Sequence, residues 1–148
     1  CQLVAQCDLA VASTQASFAV SGVNLGLFCS TPSVPLVRNL PRKQAMEMLL
    51  TGAFIDAPTA LRYGLINRVV PPQALDAAVD ELAGAIAAKS PAAIAFGKRL
   101  FYRQLEAGLE AAYALATETM TCNMMTEDAG AGIDAFIAKQ PMPPWQGR

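Results

Sequence analysis

Residues 40–71 read LPRKQAMEMLLTGAFIDAPTALRYGLINRVVP, and this order of residue types predicts a helix, a turn, a short helix, a second turn and a strand. Pro41 stands where a proline in the first helical turn is favoured, and Gly52 follows the last apolar residue of that helix. Asp56 can cap the short helix with its carboxylate, and Gly64 can end it in the left-handed conformation. Each helix in this stretch therefore has a start signal and a stop signal.

A strand is predicted directly after the short helix. Pro58 falls in the first turn of that helix, and residues 65–70 then supply the β-favouring sequence LINRVV. Pro71 ends the run because proline cannot donate a ladder hydrogen bond. The succession of helix, short helix and strand indicates an α/β fold.

The same stretch resembles the pattern TG-x-x-I-x-A-x-x-A-x-x-x-G-L-I/V-x-x-V-V-P of the crotonase superfamily, which contains the enoyl-CoA hydratases and isomerases. The matching residues are Thr51, Gly52, Ile55, Ala57, Ala60, Gly64, Leu65, Val69, Val70 and Pro71. The resemblance implies an α/β fold, the second half of a crotonase-type ββα spiral core followed by a C-terminal helical oligomerisation region. Residues 1–71 would be the end of the core, and residues 72–148 the helical region with CoA and trimer contacts. Because CQLVAQC opens like a helix already under way, we expect the chain to be the C-terminal part of a longer protein.

The composition and net charge limit which kinds of binding partner are expected. The chain has 148 residues, of which 53% are apolar and 7% aromatic, with a formal net charge of -1. A near-neutral charge provides no basic surface for nucleic acid, so nucleic acid is not an expected partner. No run of about 18 apolar residues predicts a membrane span.

Cysteine usage bears on the expected compartment. The four cysteines are Cys1, Cys7, Cys29 and Cys122, and the chain contains no histidine. They lack CxxC spacing, so neither a zinc site nor any other metal site is predicted. We expect reduced thiols in the core, as in a cytoplasmic or organelle-matrix protein.

The amino-terminal part is predicted to alternate short elements. Residues 1–6 are interpreted as the end of a helix, residues 7–12 as a buried parallel strand and residues 18–20 as a short strand. Thr31 can cap a following helix whose first turn holds Pro32.

The carboxy-terminal part is predicted to be helical. Ser90 should cap one helix, a second should run over residues 106–123, and a third should begin near Thr126. One helix carries a narrow apolar stripe with Leu75, Val79, Leu82 and Ile86, and a later helix is expected to face inward with Leu109, Tyr113, Ala116 and Met120. Residues 140–148 contain three prolines and are expected to be extended.

The resemblance also locates the two glutamates that move protons in the hydratases. Cys1-Gln2-Leu3 matches the end of A-G-G-G-C-E/Q-L, and Phe18 with Gly26 matches F-x-x-P-E-x-x-x-G. Gln2 and Gly22 then occupy the glutamate positions, and neither can ionise. The oxyanion hole that stabilises the thioester enolate would lie upstream of this chain. Standard hydration is therefore doubtful, while acyl-CoA binding is expected.

Four other residues are candidates for substrate contacts or chemistry. Asn24 can hydrogen-bond a substrate, and Asp8 is a nearby carboxylate whose alternative role is structural. Phe136 and Lys139 match the F-x-x-K spacing with which the family reaches the CoA of a neighbouring subunit. The alternative for Lys139 is a lysine favoured by the helix dipole.

Three functions remain open from sequence. The resemblance implies an enoyl-CoA hydratase/isomerase-family enzyme that binds an acyl-CoA thioester, with CoA as part of the substrate and no separate cofactor. A non-catalytic acyl-CoA-binding or regulatory protein and an assembly module are the alternatives. The family's homotrimers and hexamers imply a similar assembly here.

Overall fold

The computed structural model describes residues 1–148, which divide into a unit of residues 1–82 and a unit of residues 83–148. The first unit contains α1 (Gln2–Gln6), β1 (Val11–Ser13), β2 (Ser17–Phe18), a 3₁₀ helix (Ser21–Leu25), α2 (Ser30–Asn39), α3 (Arg42–Thr51), β3 (Ile55–Asp56), α4 (Ala57–Tyr63), β4 (Arg68–Val70) and a 3₁₀ turn (Pro72–Ala74). α5 (Leu75–Ala87) crosses the division, and α6 (Pro91–Leu105), α7 (Leu109–Met124) and α8 (Glu127–Ile137) follow. The chain is thus α/β in its first part and helical in its second, as predicted.

Two strand pairs organise the first unit. β1 lies parallel to β4, with Val11 opposite Arg68, and β2 lies antiparallel to β3, with Phe18 opposite Ile55. The predicted strands are longer than the observed ones. Asn67 and Ala10 lie directly before the parallel pair and are joined by two hydrogen bonds. The Asn67 Oδ1 accepts from the Ala10 N–H at 2.8 Å, and the Asn67 N–H donates to the Ala10 carbonyl at 2.8 Å.

The helix boundaries in residues 40–71 mostly follow the predicted signals. Gly52 ends α3 with φ 62°, and Gly64 ends α4 with φ 82°, both in the left-handed region. Asp56 caps α4 because its Oδ1 accepts from the Thr59 N–H at 2.8 Å. Pro41 was misplaced by one position: it precedes α3 at the N-cap with ψ 138° and is not in the first turn.

The core of the first unit lies between its helices and the strand pairs. Its largest fully buried side chains are Leu36, Met48 and Leu49. Leu65 and Ile66, predicted as the start of a strand, are buried in the turn that closes α4, where the Leu65 N–H donates to the Ala60 carbonyl at 2.9 Å. The family signature therefore supplies core residues as well as helix ends.

One prediction for residues 1–39 is wrong, and another holds only in part. Thr31 does not cap α2: the helix begins at Ser30, and Cys29 is at the N-cap without a side-chain hydrogen bond. Of the parallel strand predicted over residues 7–12, only Val11 and Ala12 belong to β1, because the Cys7 N–H closes α1 by donating to the carbonyls of Leu3 and Val4.

The prediction that the cysteines are core residues is wrong for Cys7 and Cys122, whereas Cys1 and Cys29 pack against the core of the first unit. Cys7 and Cys122 are exposed, Cys1 and Cys29 are half-buried, and all four thiols are free. Cys1, Cys7 and Cys29 occupy cap positions of α1 and α2.

The second unit is built on the pairing of α6 with α7. The Ser90 and Thr126 hydroxyls cap α6 and α8 as predicted, accepting from the N–H groups of Ala93 and Ala129 at 3.2 Å each. α7 begins three residues later than predicted, because extended Gly108 forms its N-cap. None of the helices combines the length and hydrophobicity that crossing a bilayer requires.

The predicted inward stripe of α7 is wrong for three of its four members. Leu109, Tyr113 and Met120 are 77%, 69% and 61% exposed, and only Ala116 of that stripe is half-buried. The half-buried residues of α7 are Ala112, Leu115, Ala116, Thr119 and Asn123. Apart from Leu115, the large apolar side chains of α7 therefore lie on its exposed side. In α5, Leu75 and Leu82 are half-buried, whereas Val79 and Ile86 are exposed.

Candidate functional site

Gln2 is the first residue of the five-residue helix α1, and its side chain is exposed. The helix is closed at its start by the Ala5 N–H, which donates to the Cys1 carbonyl at 2.9 Å. The amide of Gln2 can donate and accept hydrogen bonds but cannot take a proton at neutral pH. At this position the chain can orient a polar group but cannot act as a base.

Gly22 lies in the 3₁₀ helix and is enclosed by its own loop. Its N–H donates to Cys29 Sγ at 3.1 Å, and its carbonyl accepts from the Leu27 N–H at 3.0 Å. A Cβ atom at this position would lie 2.7 Å from Cys29 Sγ and 2.7 Å from the Leu27 carbonyl oxygen. A carboxylate side chain therefore cannot be accommodated here unless the loop backbone moves.

Asn24 contacts the end of α3. Its Nδ2 lies 3.5 Å from the Gly52 carbonyl oxygen, a long hydrogen bond, and a Cβ at Gly52 would lie 2.9 Å from that Nδ2. The structure thus gives Asn24 a structural contact that sequence reasoning missed, because the two residues are far apart in the chain. Its substrate-binding role stays a prediction.

Phe136 and Lys139 come together at the end of α8. Phe136 is 75% exposed, and Lys139 is exposed just beyond the helix. Lys139 is the one non-glycine residue with positive φ, at 53°. Its N–H donates to the Phe136 carbonyl at 3.2 Å and the Gln140 N–H to the Ala135 carbonyl at 2.9 Å, a Schellman motif that favours glycine at the lysine position.

Two carboxyl groups have shifted pKa values, and neither belongs to a predicted catalytic position. The hydrogen bond from Thr59 lowers the pKa of Asp56, with a smaller contribution from Arg62. The hydroxyl of Ser90, followed by the N–H groups of Gln146 and Gly147, lowers the pKa of Asp128. Asp128 was missed from sequence, although an acidic residue in the first turn after the Thr126 cap was a signal.

An open apolar groove of ≈ 420 Å³ lies between α6 and α7. Its lining comprises Gly97, Leu100, Phe101, Gln104, Leu109, Ala112, Tyr113 and Ala116. The lining contains no Asp, Glu, Lys, Arg or Cys, so the groove provides mainly apolar contact surface.

The sequence profile described as enoyl-CoA hydratase/isomerase matches residues 1–148. The chain belongs to the enoyl-CoA hydratase/isomerase family. Members of this family act on acyl-CoA substrates. The crotonase-type fold expected from residues 40–71 is confirmed.

Individual members of the enoyl-CoA hydratase/isomerase family show how far the similarity extends. Enoyl-CoA hydratase domain-containing protein 3, mitochondrial, of Rattus norvegicus is 52% identical over 145 residues, covering 98% of this chain and 48% of that protein. The crystal structure of an enoyl-CoA hydratase from Mycobacterium smegmatis has a TM-score of 0.95 at 56% identity, covering 98% of this chain and 56% of that one. The crystal structure of human enoyl-CoA hydratase domain-containing protein 3 has a TM-score of 0.93 at 48% identity, covering 98% of this chain and 57% of that one. The chain spans about half the length of these relatives, in their C-terminal part.

Proposed function

We propose that the protein binds an acyl-CoA thioester and stabilises its enolate in an oxyanion hole formed upstream of this chain. The observation that supports the proposal is that the family match runs through every residue, including the exposed Phe136 and Lys139 at the end of α8. Lys139 supplies a compact positive charge suited to a nucleotide phosphate, and Phe136 an apolar face beside it. CoA is then part of the substrate, and no separate cofactor is required.

Hydration by two glutamates is not part of this proposal. Adding water across an enoyl thioester needs a base for the water and an acid for Cα. Gln2 cannot ionise, and Gly22 has no room for a side chain between Cys29 and Leu27. Any proton transfer by the protein therefore uses a group outside these two positions.

Binding and turnover test the proposal separately. Isothermal titration calorimetry with butyryl-CoA is expected to show saturable binding, and crotonyl-CoA is expected to be hydrated no faster than in buffer alone. Absence of heat with butyryl-CoA, crotonyl-CoA and a long-chain acyl-CoA would overturn the binding claim. Hydration well above background would show that the two glutamates are not needed.

A non-catalytic acyl-CoA-binding protein is the second candidate. The enclosure of Gly22 favours it, because a side chain at this position would meet Cys29 Sγ and the Leu27 carbonyl oxygen, each 2.7 Å from its Cβ. The two candidates differ in one measurement. Exchange of the Cα protons of bound butyryl-CoA in D₂O, followed by NMR, requires enolate formation and is expected only of the first candidate.

Assembly into a homotrimer or hexamer completes the proposal. Leu109, Tyr113, Phe136 and Ile137 are each at least 69% exposed in the chain, so α7 and α8 offer apolar surface for subunit contacts. Light scattering coupled to gel filtration is expected to give three or six times the subunit mass, and a monomer at all concentrations would contradict the assembly.

An organelle matrix is the proposed location. The relatives from rat, mouse and human are named as mitochondrial proteins. Imaging of the tagged protein in its own cells, with a matrix marker as reference, tests this location.

A further inference from the structure

Residues 140–148, here called the C-terminal strap, fold back along α8 from its end to its beginning. The ring of Trp145 packs beside Gly132, where an added Cβ would lie 3.3 Å from the indole. Trp145 Nε1 donates to the Ala88 carbonyl at 2.9 Å, satisfying a carbonyl left open after α5. The strap therefore has a defined path although it contains neither helix nor strand.

Asp128 holds the far end of the strap. Its side chain is 3% exposed, and Oδ2 accepts from the Ser90 hydroxyl at 2.6 Å and from the Gly147 N–H at 3.0 Å. Oδ1 accepts from the Gln146 N–H at 2.7 Å. The Asp128 N–H in turn donates to the Arg148 carbonyl at 3.0 Å. One buried carboxylate thus joins the beginning of α6 to the strap.

Lys139 lies at the near end of the strap in a conformation that a lysine rarely adopts. Its φ of 53° brings Cβ close to the following carbonyl, a conformation that is disfavoured for lysine and adopted readily only by glycine and, less often, by asparagine and aspartate. Such a conformation persists only when the surrounding structure enforces it. The strap is stiff because Pro141, Pro143 and Pro144 fix their own φ and restrict the residues before them.

We infer that Asp128 is a positioning residue, which anchors the stiff strap and thereby keeps Lys139 in the left-handed conformation that sets the direction of its side chain. Both ends of the strap are fixed, one by the Schellman hydrogen bonds and one by the carboxylate of Asp128. Release of the anchor lets Lys139 relax to negative φ, which breaks the bonds from Lys139 and Gln140 to α8. Only the consequence for CoA binding rests on the proposed function.

Amide hydrogen exchange at Gln140, followed by NMR, tests the anchoring in the whole protein. Asp128→Asn keeps the size of the side chain but removes its charge, and is expected to speed exchange at Gln140 roughly tenfold. Lys139→Gly removes the cost of positive φ, so adding Asp128→Asn to it is expected to change Gln140 exchange far less. Equal acceleration in both backgrounds, or none in either, would overturn the inference.

Two further variants keep the test decisive. Glu127→Gln removes the charge that forms the exposed ion pair with Arg148, at 2.9 Å. Because exposed ion pairs contribute little to stability, it is expected to leave Gln140 exchange unchanged. If Asp128→Asn fails to fold, Trp145→Phe loosens the same strap at its hydrogen bond to Ala88, and the same dependence on Lys139 is expected. Acceleration by Glu127→Gln as large as that by Asp128→Asn would contradict a specific role for Asp128.

Butyryl-CoA binding distinguishes the positioning of Lys139 by Asp128 from the proposed acyl-CoA-binding function. If the wild-type protein binds, Asp128→Asn is expected to weaken binding, and no weakening despite faster Gln140 exchange would refute the link to the ligand. If the wild-type protein does not bind, the proposed function fails, while the exchange measurements still decide whether Asp128 positions Lys139.

Discussion

Gly52 and Gly64 end successive helices in the same left-handed conformation, but their surroundings differ. A Cβ at Gly64 would meet only the Asn39 carbonyl at 3.5 Å, an ordinary contact, whereas one at Gly52 would lie 2.9 Å from Asn24 Nδ2 and 3.0 Å from a Val23 methyl. Gly64→Ala is expected to cost about 1–2 kcal/mol of unfolding free energy through backbone strain alone. Gly52→Ala should cost more, as measured by urea unfolding, and equal losses would show that Asn24 moves aside freely.

Gly22 gives a second prediction at the level of single residues. Gly22→Ala is expected to cost about 1–3 kcal/mol, because its Cβ would overlap both Cys29 Sγ and the Leu27 carbonyl. Cys29→Ala in the same chain removes only the sulfur, so it should restore part of the loss. Full restoration in urea unfolding would show that the Leu27 backbone yields, and would reopen the position to a glutamate.

Substitutions of Lys139 distinguish between a contact of its ammonium group with the ligand and an interaction of that charge with the helix dipole. Lys139→Gly removes the strain of a lysine at positive φ, which is expected to raise the free energy of unfolding by roughly 1 kcal/mol. The greater conformational freedom of glycine in the unfolded chain offsets part of this gain. The same change should weaken butyryl-CoA binding in calorimetry. Lys139→Asn is the matched control, since asparagine tolerates this conformation but lacks the ammonium group. Unchanged binding in both variants would favour the dipole role.

At the scale of helices, two lowered pKa values predict how stability depends on pH. Asp56 caps α4 and Asp128 joins α6 to the strap, and hydrogen bonds lower the pKa of each below 3.8 in the folded state. Their stabilisation is therefore fully present above the unfolded pKa and is lost as pH falls through the folded values. Urea unfolding between pH 6 and pH 2.5 is expected to show decreasing stability below roughly pH 4. Asp128→Asn should reduce that slope, and an identical slope would contradict the assignment.

Helix ends were predictable from sequence where the signal is local. Asp56, Ser90 and Thr126 each cap the helix that begins directly after them, and their hydrogen bonds span three residues. The prediction that Thr31 is a cap failed because the helix begins earlier, with Cys29 at its N-cap, so the threonine lies within the helix. The face that α7 buries was not predictable, because Leu109 and Tyr113 have apolar spacing and only the position of α6 decides which side is covered.

At the scale of the whole chain, the fold was predictable and the surroundings of the candidate site residues were not. The signature in residues 40–71 contains both the helix ends and several core residues. The enclosure of Gly22 by Cys29 and Leu27, and the burial of Asp128 by the strap, depend on contacts between distant residues. The sequence marks Gln2 and Gly22 as unable to ionise, but only the structure shows that Gly22 also lacks space.

Matched leucine substitutions distinguish core from assembly surface. Leu36 is fully buried, and Leu36→Ala is expected to cost about 2–5 kcal/mol in urea unfolding. Leu109 is 77% exposed, and Leu109→Ala should alter the stability of the isolated subunit by no more than about 0.5 kcal/mol. The same variant should shift light-scattering mass toward smaller species. A stable assembly with unchanged mass would place the subunit contacts elsewhere.

Trp145 is the single tryptophan of the chain, and it lies on the strap between Gly132 and Ala88. Its intrinsic fluorescence is therefore an unlabelled optical reporter of one short segment. Detachment would expose the indole to bulk water and red-shift its emission, so stopped-flow recording could follow docking of the segment in real time.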